Sequence, residues 1–483
     1  MFEGRNLIGG KWRAATSGAT FPQRNPARLS ETTGRFADSG RADIDDAIVA
    51  AEAAYPHWRA LSPQARKTFM DSALQATIAR RNEIAATITR ENGKTLRESS
   101  SEVESAIKEM DYQIGEGLRL CGQTVPVETE GTLAWSMRVP LGPVGIITPW
   151  NFPFNVPGRK CTPALMAGNT VVLKPASLTP RTGLLFAEIL ADAGLPKGLI
   201  DCMTGGGRRV GNGIVEDRRT KAISFTGSTA VGRSIQAAAA KNLIPTQLEL
   251  GGKNPAIVMP DADIDTAVAE IMKAAFACSG QWCTSTSRVI VLDEIAEAVT
   301  DRLVAEVGKI SVGDGEAASS DMGPLCGEAQ KTDVLSYIAK GKAEGARLRA
   351  GGQALSGEQF DDGCFVEPTL FDQVTPDMAI AREEIFGPVL VIITVHSFDE
   401  AVDVANDIAY GLSSSIFTRD LSAALTFMER TEVGLAHVNL MSALKEPQLP
   451  FGGVKDSGAG PPEAGSTGIE FFSEHKVCYV RYR

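Results

Sequence analysis

Cys283 has the setting most suited to chemistry. It lies in Gly280-Gln281-Trp282-Cys283-Thr284, a polar, flexible stretch that runs into Thr-Ser-Thr-Ser. Free cysteines are usually buried and inert. That plain reading is kept for the other seven, including Cys278 in the apolar Ala-Phe-Ala-Cys. A thiol on an exposed connection, next to backbone N–H groups, can instead be held as the nucleophilic thiolate. Glu249, in Glu249-Leu250-Gly251-Gly252-Lys253, ends an apolar run and precedes two glycines that permit close backbone approach. It reads either as a solvated strand-end carboxylate or as a general base in a partly dry cleft. Asn151 stands in Thr148-Pro149-Trp150-Asn151-Phe152-Pro153. It is either a common turn asparagine or an amide held to donate to a developing oxyanion.

A glycine signal adds a binding function. In Phe225-Thr226-Gly227-Ser228-Thr229-Ala230-Val231-Gly232 a strand gives way to a helix, whose first N–H groups and dipole suit a pyrophosphate. The spacing is not G-x-G-x-x-G, and the G-x-x-x-x-G-K-[ST] loop of ATPases is absent. Asp261-Ala262-Asp263-Ile264-Asp265 imitates the start of a calcium loop. Its sixth position is Thr266 instead of Gly and its twelfth Met272 instead of Glu, so the aspartates read as a helix start.

The elements that must hold these residues alternate. Helical periodicity covers 41–121, and 123–141 suits a strand pair. From 143 onward short β-branched runs, such as Val144–Ile147, Thr170–Lys174 and Ala222–Phe225, alternate with helical segments. That pattern predicts a parallel sheet with crossover helices, a nucleotide-binding design. A second alternation follows, with strands at 256–259, 288–292, 389–394 and 415–418 and helices between them. Lys476–Tyr482 reads as a strand able to pair with 123–141. The fold class is thus α/β, with two doubly wound lobes and a small β element.

Composition bounds the rest. A chain of 483 residues suggests roughly three domains or lobes. A net charge of −11 argues against a nucleic-acid partner. The charged start and the lack of a run of about 18 apolar residues argue against secretion and membrane insertion, leaving a cytoplasmic protein as the expectation. Eight scattered cysteines and four histidines do not suggest a disulfide framework or a structural metal site.

Together these segments resemble the aldehyde dehydrogenase superfamily over essentially the whole chain. The motifs, in order, are Thr148–Pro153, Val171–Ala176, Phe225–Ser228, Glu249–Lys253, Gly280–Thr284, Glu383–Pro388 and Pro450–Gly453. The resemblance implies Cys283 as nucleophile, Asn151 with the Cys283 N–H as oxyanion hole, and Glu249 as the base for the deacylating water. It implies Trp150, Lys174, Gly227, Ser228, Glu384 and Phe386 as cofactor contacts, and Lys253 and Glu463 as a proton path. It also implies a coenzyme domain (1–122 and 142–250), a catalytic domain (251–450), oligomerisation strands (123–141 and 466–483), and a homodimer or homotetramer. Glu in the 249 motif implies hydrolysis of the thioester rather than transfer to coenzyme A.

Ser177 stands where many NAD-preferring relatives carry a Glu that repels a 2′-phosphate, so the cofactor is expected to be NADP or NAD. Arg159, eight residues after Asn151, is placed on the substrate tunnel with Phe152, and a guanidinium there suits a carboxylate. Resemblance to semialdehyde dehydrogenases makes 2,5-dioxopentanoate the leading substrate. Succinic semialdehyde and uncharged aliphatic or aromatic aldehydes are the alternatives. Ala277 departs from the second Arg often found in succinic semialdehyde enzymes, and Pro461-Pro462-Glu463 departs from the commoner Arg-Glu pair.

Overall fold

In the computed structural model, residues 2–483 are described. Val171, Val172 and Leu173 show how the first sheet forms. All three are buried, with Val171 and Leu173 in one apolar core and Val172 in another. A strand buried on both faces reads as a continuous apolar run, and each such side chain contributes about 1.5–3 kcal/mol on burial. The eight strands lie in the order Gly458–Ala459, Thr246–Glu249, Ala222–Thr226, Pro143–Ile147, Thr170–Lys174, Ile200–Cys202, Asn6–Ile8 and Lys11–Arg13. The middle five are parallel and the outer ones antiparallel. The chain begins this parallel set at Pro143–Ile147, steps one way to 170 and 200, then returns to the other side at 222 and 246. Ligand crevices open at such a switch point. Here it is flanked by Thr148–Phe152 and by Gly227-Ser228.

The second sheet has seven strands in the order Arg347–Ala350, Thr369–Asp372, Val389–Val395, Thr286–Leu292, Asn254–Val258, Ser413–Phe417 and Leu435–Val438. Only the Arg347–Ala350 edge is antiparallel. A separate three-stranded sheet pairs Ser473–Arg481 with Thr132–Pro140, which in turn pairs with Thr124–Val125.

Several expectations are corrected. Residues 2–37 contain five strands that the pattern reading did not identify; they are short or mixed in polarity, so periodicity is weak. The coenzyme sheet takes an edge strand, Gly458–Ala459, from beyond residue 450. The segment 466–483 is not all strand. Gly465–Glu470 is a helix packed on Leu96–Glu116 and Asn155–Ala167, because Ile469 is buried there in the first core. Cys121, expected in a core, is exposed on the link into the small sheet. Asp263 does start a helix: its carboxylate caps Ile264–Phe276 by accepting from the Thr266 N–H at 3.0 Å.

Candidate active site

Cys283 is held from both directions along the chain. Before it, Cys278, Ser279 and Gly280 all adopt positive φ (53°, 57° and 67°), which turns the chain out of the Ile264–Phe276 helix. A side chain at Gly280 would place its Cβ 2.2 Å from the Gly387 carbonyl oxygen, so glycine is required there. After it, Asn254 Nδ2 donates to the Cys283 carbonyl at 2.8 Å and to that of Ser285 at 2.9 Å. Cys283 is half-buried. Burial pushes its thiol up, and the Glu249 carboxylate adds to the effect. Cys278 is a core thiol as expected, pushed up to about 12 by burial.

Asn151 follows the Pro143–Ile147 strand and is 6% exposed. Its Nδ2 donates to the Gln281 carbonyl at 3.1 Å, which leaves the second amide hydrogen for a ligand. Behind it, Lys94 Nζ donates to the Asn151 carbonyl at 2.5 Å and to Glu102 at 2.8 Å. Glu102 also accepts from the N–H groups of Phe154 (2.9 Å) and Asn155 (3.1 Å), at the start of the Asn155–Ala167 helix. Lys94 further stacks over the Phe152 ring at 4.1 Å.

Glu249 ends its strand at 2% exposure, and its Oε1 has no hydrogen-bond partner. Burial, reinforced by Glu463, holds its carboxyl well above the usual range, against the opposing pull of Lys160 and Arg159. Lys160 pairs with Glu463 and donates to Ser224 Oγ at 2.8 Å. Lys253, expected on a proton path with Glu249, answers to other charges. Burial and Arg288 bring its ammonium down to about 7, with Glu384 and Glu383 acting the other way. The cation beside Glu249 and Glu463 is Lys160, which motif reading missed.

One cavity of about 590 Å³ joins these residues, its wall including Cys283, Asn151, Glu249, Phe152, Arg159 and Lys445. At one end lie Trp150, Gly227, Ser228, Glu384 and Phe386. Trp150 and Phe386 meet edge to face at 5.4 Å. Phe386 has φ 54°, and Gln330 Nε2 donates to its carbonyl at 2.8 Å. The Thr229–Ala240 helix begins at Ser228 with no side-chain cap, so its N-terminal N–H groups are free for an anion. Glu384 accepts from the Gly252 N–H at 2.8 Å, and burial pushes its carboxyl up to about 7. A Cβ on Gly251 would sit 2.2 Å from a Glu384 oxygen, which explains the glycine. Burial brings Lys174 down to about 8. Ser177 Oγ is engaged, donating to the Gly205 carbonyl at 2.8 Å. A helix start without a cap and a carboxylate facing one cavity fit a dinucleotide.

A family model described as the aldehyde dehydrogenase family matches residues 12–478. The chain belongs to the aldehyde dehydrogenase family. It is 41% identical to the alpha-ketoglutaric semialdehyde dehydrogenase of Bacillus subtilis (strain 168), over 99% of this chain and 98% of the relative. Its fold matches that of an E. coli NADP dependent enzyme with TM-score 0.96 and 34% identity, covering 99% of this chain and 98% of the other. A betaine aldehyde dehydrogenase from Staphylococcus aureus in complex with NAD+ matches with TM-score 0.96 and 31% identity, over 99% and 96% of the two chains.

In this aldehyde dehydrogenase, Arg159 does lie on the cavity wall, but it is already engaged. Its Nε donates to Glu109 at 2.7 Å and its Nη2 to Asn155 at 2.9 Å, and Nη1 lies 3.5 Å from Glu463. Its guanidinium also stacks on Phe451 at 4.6 Å. Glu109, Lys94, Glu102, Asn254 and Lys445 carry no motif of their own. The sequence signal that could have marked them is charge on the apolar side of a helix, as with Glu102 and Glu109 in Leu96–Glu116.

Proposed function

We propose that this aldehyde dehydrogenase oxidises a carboxylate-bearing semialdehyde, with 2,5-dioxopentanoate as the leading candidate, to the acid through a thioester on Cys283. The convergence of Cys283, Asn151 and Glu249 on one cavity carries this reading. Cys283 Sγ bonds to the aldehyde carbon as the tetrahedral carbon forms, its proton passing to water in the cavity. The free amide hydrogen of Asn151 and the Cys283 N–H donate to the resulting oxyanion. NAD or NADP, when bound, supplies the hydride acceptor. Lys174, Gly227, Ser228, Glu384, Trp150 and Phe386 hold it, with Ser177 leaving room for a 2′-phosphate. Loss of hydride leaves the thioester. Glu249 then takes a proton from water, whose oxygen bonds to the acyl carbon and releases the thiol and the acid. Glu463, Lys160 and Arg159 tune the proton held at Glu249.

Full-length similarity to an alpha-ketoglutaric semialdehyde dehydrogenase supports the substrate class, as do Arg159 and Lys445, cations on the cavity wall. A homodimer or homotetramer built through the 124–140 and 473–481 strands fits the exposure of Val477, Tyr479 and Tyr482. Light scattering on the purified protein tests that assembly. The catalytic reading is tested by reduced-nicotinamide formation, crossing NAD and NADP with 2,5-dioxopentanoate, succinic semialdehyde, hexanal and benzaldehyde. A tenfold advantage in kcat/KM for the acidic aldehydes, about 1.4 kcal/mol, is expected. An advantage for hexanal or benzaldehyde would replace the substrate while leaving the reaction in place.

A further inference from the structure

Arg159 and Lys445 on the cavity wall connect to a buried group of charges, Lys160, Glu109 and Glu463. Glu463 pairs with Lys160 and lies 3.5 Å from Arg159. Glu109 is shared, one oxygen taken by Arg159 and the other by Lys445.

Arg159 and Lys445, both on the cavity wall, differ in what they have left to give. Arg159 has Nε and Nη2 committed to protein oxygens, Nη1 turned toward Glu463, and a face against Phe451. A bidentate carboxylate complex would have to displace Glu109. Lys445 makes one hydrogen bond, to Glu109, and an ammonium has three donors. Its side chain is 19% exposed against 6% for Arg159, and it sits among Ala443, Leu444 and Phe451 on the same wall.

Resting on the semialdehyde reading above, we propose that Lys445 is the residue that binds the distal carboxylate of the substrate. Arg159 acts as a positioning residue that fixes Glu109 beneath Lys445. The apolar carbons between aldehyde and carboxylate then lie along Phe152, Phe451 and Trp282, with the aldehyde at Cys283.

The test compares 2,5-dioxopentanoate with pentanal, an uncharged aldehyde of the same chain length, in wild type, Lys445→Gln and Lys445→Arg. The ratio of their kcat/KM values should fall tenfold or more in Lys445→Gln, mainly through KM for the acid. Lys445→Arg should keep at least a third of the wild-type ratio. Glutarate, a dicarboxylate that cannot react, should lose tenfold or more as an inhibitor of pentanal oxidation in Lys445→Gln. A preserved ratio in Lys445→Gln, or an equal loss for both aldehydes, overturns the assignment while the substrate class stands. No preference for the acid in wild type overturns both.

Discussion

Glu102 and Glu249 are each 2% exposed, and each lies close to the reacting centre. Glu102 accepts from Lys94 and from two backbone N–H groups, so its charge is met on every side. Glu249 has an oxygen with no partner, and its cations reach it only by sharing with Glu463. The first arrangement is stable and static: it locks the start of the Asn155–Ala167 helix and the carbonyl of Asn151. The second leaves a proton loosely decided, which is the property a general base needs. Satisfied buried charge supplies geometry here, and unsatisfied buried charge supplies chemistry.

Substitutions can break that division. The largest effect belongs to Cys283→Ala, which should lower reduced-nicotinamide formation by on the order of 10³-fold or more, with chemical denaturation shifted little. Residual activity within tenfold of wild type would remove Cys283 from the mechanism. Glu249→Gln should cut steady-state turnover by about 10²–10⁴-fold yet keep a stoichiometric burst of reduced nicotinamide, since hydride leaves before water attacks. Loss of the burst as well would move Glu249 to the deprotonation of Cys283.

Glu102→Gln should do the converse. It strands the Lys94 charge, so unfolding in urea should show about 3–5 kcal/mol lost, with any fall in activity following from the misplaced Asn151. A Glu102→Gln protein of wild-type stability would mean that this pair is not structural. The smallest effect is the pH profile. Glu249 holds its proton above the ordinary carboxylate range, and the base works only when deprotonated. Turnover should therefore go on rising with pH above the ordinary carboxylate range and flatten above the raised value. A rate already at its plateau at pH 5 would show that Glu249 is ionised throughout.

Much of this was legible in short stretches of chain. The Val171–Leu173 strand, the turn at Phe225–Ser228 and the cysteine loop each carry their signal in adjacent residues, because backbone conformation is decided locally. The N-terminal strands were not legible, since Phe2–Gly4 and Asn6–Ile8 are too short for a period to show. The helix Gly465–Glu470, most of which lies inside the segment 466–483 expected as strand, is likewise too short at six residues for a period to show. The ionisation of Cys283 was not legible on a different ground: it depends on how much water the fold leaves, and the loop's composition does not report that.

The sequence alone singled out the groups proposed for attack, oxyanion donation and hydrolysis in this aldehyde dehydrogenase, namely Cys283, Asn151 and Glu249, because each belongs to a contiguous motif. The tertiary structure decided what those groups face. Arg159 meets Glu109 from 50 residues away and Lys445 meets it from 336. Such pairings arise only when helix Leu96–Glu116, helix Asn155–Ala167 and the loop before Phe451 pack together. Charges in a low-dielectric interior are governed by their neighbours in space, so the proton on Glu249, the commitment of Arg159 and the freedom of Lys445 were settled by packing.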